Sequence, residues 1–157
     1  MKGLNEFIAL SIIILISMIL ITLSIQYIKP IIQRSTDNFA LNEGLSNLNI
    51  IKNAVEQVSS ESPGSTRSVK LRSLYGFYSV DGISNTINFT YIKSSDIIFY
   101  GSRNGINITT EGNLIRLYAS FDNIDIGDTL YFTKGENTLK ISYHSFDDGM
   151  VKINITT

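Results

Sequence analysis

The chain contains no cysteine and no tryptophan, one histidine and two prolines in 157 residues. Without thiols there is no disulfide framework, zinc finger or cysteine nucleophile, and a single His144 removes most histidine-centred catalysis. Charge is also scarce. Only 17% of residues are charged, against roughly a quarter in ordinary soluble proteins, and 13 basic side chains against 14 acidic ones leave a net charge of −1. A duplex-binding surface needs clustered Lys and Arg to displace phosphate counterions, and no basic patch or tail is present, so nucleic acid is not an expected partner. No GxxxxGK[ST] or GxGxxG phosphate loop occurs either.

Two small polar groups invite a chemical reading. His144 lies beside Ser145 at the expected end of a strand, but adjacency in sequence does not build a serine-histidine-acid triad. Asp122, Asp125 and Asp128 are spaced by three, yet the twelve-residue calcium-loop pattern with its terminal Glu is missing, so they read as a solvated turn. The chain is expected to be no enzyme, with no catalytic residue, metal or cofactor.

What is there is an uneven distribution of apolar residues. The first 28 positions hold only two charges, Lys2 and Glu6, and from Phe7 to Ile25 no charge interrupts the run. At about 1.5 Å per helical residue those 19 residues cover roughly 28 Å, the hydrocarbon thickness of a bilayer. Ser11, Ser17, Thr22 and Ser24 can hydrogen-bond back to the helix backbone. A secretory signal has a shorter apolar core followed by small residues, whereas Ser24-Ile25-Gln26 follows here, so the run is expected to stay on the protein.

Ahead of the run stands Met1-Lys2-Gly3-Leu4-Asn5-Glu6. This resembles the class III signal of archaeal type IV pilin-like proteins, in which a membrane peptidase cuts after a Lys-Gly or Arg-Gly pair and leaves the apolar segment in place. The resemblance implies a leader of residues 1–3 and a cut between Gly3 and Leu4, with Lys2 holding that end in the cytoplasm. It departs from bacterial type IV pilins, whose Glu is the fifth mature residue; Glu6 would be the third, so its pairing with a neighbouring subunit's α-amino group is open. The alternative is a plain membrane anchor that Lys2 and Glu6 merely flank. Charge does not orient it, because Lys29 and Arg34 follow the run as Lys2 precedes it.

Beyond a filament-core or transmembrane helix at 4–28, Leu41, Leu45, Leu48, Ile51, Val55 and Val58 recur at steps of three or four. That is one helical stripe, marking an amphipathic stalk over 29–60. Pro30 is expected to kink the helix, the cluster Ser35 to Asn38 to restart it with Asp37 as N-cap, and Gly44 to weaken it by about 1 kcal/mol relative to Ala. So short a helix must pack on something, either the chain's own globular part or the stripe of a neighbouring subunit. Pro63-Gly64 ends it in a linker over 61–66. The stretch from Glu61 to Val69 resembles an archaeal arrangement in which a Glu-x-Pro-Gly-Ser helix stop leads into a strand.

Residues 67–157 alternate apolar and polar in runs near 67–73, 75–81, 86–92, 96–100, 106–110, 114–121, 129–133, 138–144 and 150–156, with Asp-Gly, Asn-Gly and similar turns between them. The fold class expected is α+β: a long N-terminal helix followed by an antiparallel β-sandwich, immunoglobulin-like or similar. Ile87, Phe89 and Tyr91 share one phase, as do Ile115, Leu117, Ala119 and Phe121; Leu139, Ile141 and Tyr143; and Val151, Ile153 and Ile155. The opposite phase holds three Asn-x-Thr sequons, at Asn88, Asn107 and Asn154, as a glycan in solvent requires. An Asn- and Thr-rich chain also produces sequons by chance.

The resemblance implies a structural subunit of an archaeal surface filament, or a surface-displayed adhesion protein, with its β head outside the cell. Its partners would be the membrane, the class III prepilin peptidase, copies of itself or other pilin-like subunits, and the S-layer. The competing expectation is a membrane-anchored accessory protein, similar to the stator-like β-sandwich proteins of the archaellum or S-layer, that does not polymerise.

Overall fold

A computed structural model describes residues 2–127 and 129–157, with residues 2–6 described by backbone alone. One helix, α1 (Lys2–Ser59), is followed by ten strands: β1 (Thr66–Ser73), β2 (Phe77–Asp81), β3 (Thr86–Ile92), β4 (Gly101–Arg103), β5 (Ile106–Glu111), β6 (Leu114–Ser120), β7 (Ile124–Ile126), β8 (Leu130–Phe132), β9 (Gly135–Asp147) and β10 (Met150–Thr156). The layout is α+β. The chain divides into two compact units, Met1–Thr36 and Asp37–Thr157.

In the first unit the helix passes through Pro30 without ending, although proline costs a backbone donor there. The restart expected at 35–38 therefore does not occur. Asp37 is an interior helical residue, and its carboxylate is taken by donors from another part of the head rather than by the first turn of a new helix.

In the second unit the strands form two sheets, ordered β1-β9-β10-β7 and β4-β5-β6-β3-β2-β8. All pairs are antiparallel except β10 with β7, a departure from the wholly antiparallel arrangement expected. β7 was expected to be turn. It forms because Ile124 and Ile126 are buried, and it places Asp125 opposite Lys152 in the register with β10. Asp128 lies outside the described residues. The strand expected at 96–100 is absent: the Thr110 side chain, rather than a backbone ladder, holds that segment, donating to the Phe99 carbonyl (2.8 Å) and accepting from the Phe99 N–H (2.9 Å). A short β4 follows instead. Asn104-Gly105 and Asp148-Gly149 make two-residue hairpins with positive φ at both positions, the geometry that matches strand twist.

A single apolar cluster takes side chains from α1 and from both sheets, including Leu48, Ile51 and Val55, Phe89 and Leu117, and Leu139 and Ile141. The helical stripe thus packs on the chain's own head. The linker is closed by an ion pair between Glu61 and Arg67 (2.6 Å) and by exchange of backbone bonds between Tyr143 and residues 64–65. The Arg67 guanidinium holds the Glu61 carboxyl below its ordinary value.

Candidate functional site

Every side chain from residue 7 to residue 32 is exposed. The run includes Phe7, Leu15, Met18, Ile21, Ile25 and Ile32, and one window of it reaches a mean hydropathy of 2.9 with no residue buried. Covering an Ile or Leu is worth about 1.5–3 kcal/mol, so a surface of this size strongly favours a non-aqueous or proteinaceous surrounding. Its polar atoms are already satisfied. Ser11, Ser17, Thr22 and Ser24 each donate to the carbonyl four residues earlier at 2.8–2.9 Å, as a helix needs where water is excluded. By length and composition this is the one described helix able to cross a membrane. The side chains of Lys2, Leu4 and Glu6 lie outside the described residues, and the expected cleavage point between Gly3 and Leu4 falls within the helical backbone of α1.

Within the second unit, three polar side chains of α1 fasten it to the sheets. Asp37 is fully buried and accepts from the backbone of Ser94 (3.0 Å) and Ser95 (2.8 Å) and from the hydroxyls of Tyr91 (3.0 Å) and Ser94 (3.2 Å). Burial pushes its pKa up, but donors at Ser95, Ser94 and Tyr91 together outweigh that and hold it below its ordinary value. One turn and a half further on, Glu43 accepts from the backbone of Leu74 (2.8 Å) and Tyr75 (3.2 Å). Next, the Asn47 amide donates to the Arg72 carbonyl (3.0 Å) and to the Tyr78 hydroxyl (2.8 Å). The sequence offered no signal for these three beyond their place beside the apolar stripe. Among the described residues no buried side-chain N or O lacks a partner.

The sequons do not behave alike. Asn154 is exposed on the outer face of β10. Asn88 and Asn107 are half-buried on β3 and β5, brought together on the outer face of the six-stranded sheet, where both stand opposite Tyr118 of β6. Asn88 Nδ2 donates to Thr86 Oγ1 at 3.0 Å. Around this row the face is hollowed into an open trough of about 540 Å³.

No family model, curated protein or solved structure matches this chain. The function must be read from its own geometry. His144 lies within β9, exposed, three residues before the strand ends. Among the described residues no group of His, Asp or Glu side chains is placed to hold a metal ion. The described geometry is one exposed apolar helical segment and a head to which the rest of that helix is fastened.

Proposed function

We propose that the chain is a pilin-like subunit of an archaeal surface filament, or a surface-displayed adhesion protein, held by its N-terminal helix with the β head outside the cell. One observation carries this reading. A single helix, α1, is apolar and wholly exposed over residues 7–32, then buries one stripe in its own head from Asp37 to Val58. A membrane-inserted precursor needs the first segment to face lipid. A filament subunit needs the same segment to face its neighbours, where apolar surface meets apolar surface. Asp37, Glu43 and Asn47 staple the head to the part of α1 that follows the exposed segment.

Shearing cells and sequencing the N-termini of released filaments tests this. Subunits beginning at Leu4 are the expected result, with Gly3→Leu blocking the shift from precursor to mature mobility. A protein that stays with the membrane, keeps Met1 and never enters the sheared fraction would instead be a non-polymerising anchored accessory protein.

A further inference from the structure

From the outer face of the six-stranded sheet we infer a binding site for a neutral, extended oligosaccharide, independent of whether the chain polymerises. In register across four strands stand Asn107, Tyr118, Asn88 and Ser79, and one step along the strands a second row runs Thr109, Arg116, Thr90 and Phe77. The trough, lined by Tyr118, Asn88 and Ser79 of the first row and by all four residues of the second, has a volume of about 540 Å³, inside the roughly 300–1,000 Å³ of small-molecule sites. It is built wholly from strand residues, so its groups are fixed before any ligand arrives.

The chemistry of the lining selects the ligand class. Its two charges, Arg116 and Glu111, neutralise each other across 3.2 Å, which leaves no net field for a phosphate, an acidic peptide or a cation. The remaining groups are the rings of Phe77 and Tyr118, the aliphatic Leu114, the Asn88 amide and the hydroxyls of Ser79, Thr90 and Thr109. A Tyr ring with the Asn88 amide on the adjacent strand and the hydroxyls of Ser79, Thr90 and Thr109 in the same trough suits a pyranose, whose C–H face covers the ring while its equatorial hydroxyls meet donors and acceptors at the rim. An apolar peptide or lipid tail would strand that amide and those hydroxyls without partners. Strands repeat at roughly 4.8 Å, close to the rise per ring of an extended glycan, so four strands present about 14 Å, the length of about three rings.

The occupant is a free oligosaccharide rather than a sugar attached to this chain. Asn88 lines the trough itself, so a glycan linked there would fill the site.

The test uses the full chain made in a bacterial cytoplasm, without glycosylation, in a sugar-free zwitterionic detergent. Saturation-transfer NMR is recorded with maltohexaose, cellohexaose, mannohexaose and xylohexaose at millimolar concentration. At least one should receive saturation on its ring protons, and Tyr118→Ala should weaken that binding by about tenfold or more. Thr90→Arg, which fills the trough without removing the ring, should also abolish it, while Tyr100→Ala, outside the trough, should leave it unchanged. Far-UV circular dichroism confirms that each variant is folded. Saturation of none of the four sugars overturns the inference, and so does binding that survives both trough variants. Self-association that Tyr118→Ala abolishes, without any sugar response, would assign the face to a second copy of the chain and also overturn it.

Discussion

Gly44 of α1 lies directly against the ring of Phe89 on β3: a Cβ added to Gly44 would sit 2.5 Å from both Cδ1 and Cε1 of Phe89 and 2.9 Å from a Leu117 methyl. Phe89 and Leu117 are fully buried and cannot swing away. The glycine that weakens the helix by about 1 kcal/mol is therefore the residue that lets the helix approach the sheet. Gly44→Ala should recover that propensity but lose about 1–3 kcal/mol to overpacking, so the variant should be the less stable. Urea unfolding of the full chain in detergent measures the difference; a more stable variant would contradict the close approach.

Asp37→Asn should destabilise the head by about 1–3 kcal/mol, because an amide keeps one acceptor oxygen and turns a donor toward the Ser94 and Ser95 N–H groups. The pH dependence has a definite sign. The folded-state value lies below the ordinary 3.8, so the contribution is complete above 3.8 and is lost as pH falls through the lower folded value. Wild type should lose more stability than Asp37→Asn between neutrality and about pH 3, as read from unfolding midpoints.

Burial pushes the hydroxyls of Tyr78 and Tyr91 up to about 12, Tyr91 further helped by its bond to the Asp37 carboxylate. In the unfolded chain both ionise near 10, so the stability they supply is present below 10 and disappears as pH rises through about 12. Phenolate absorbance of the folded protein should show a late step that shrinks in Tyr78→Phe and again in Tyr91→Phe.

Asn47→Ala should cost about 1–3 kcal/mol, since it leaves the buried Tyr78 hydroxyl and the Arg72 carbonyl without their shared donor. Combined with Tyr78→Phe the losses should not add in full, because both variants remove the same Asn47–Tyr78 hydrogen bond. A double-mutant cycle on unfolding free energies checks this.

Glycan occupancy should favour Asn154, exposed on β10, over Asn88 and Asn107, which are half-buried beside Tyr118. Mass spectrometry of glycopeptides from a host that modifies Asn-x-Thr should lose its main glycoform in Asn154→Gln and keep it in Asn88→Gln. Equal occupancy at all three would show that modification precedes folding of the sheet.

Local pattern was enough for much of this molecule. The uncharged run over 7–25, the stripe from Leu41 to Val58, the alternation in β3 and β10 and the two Asn-Gly and Asp-Gly hairpins are each set by neighbours in the chain: by uninterrupted apolarity, a period of 3.6, a period of two, or residues that tolerate positive φ. Tertiary structure decided everything that depends on a distant partner. Asp37 looked like a helix cap because its side chain suits that role, but its donors at residues 91–95 lie more than fifty positions away. Ile124 to Ile126 looked like turn because three residues carry no usable period, and it is β10 that makes them a strand. The trough likewise exists only after β2, β3, β5 and β6 are laid side by side, since Asn88, Asn107 and Tyr118 are polar or aromatic residues at unrelated positions until the register sets them in one row. Periodicity fixes which face a residue takes; only pairing fixes what stands beside it.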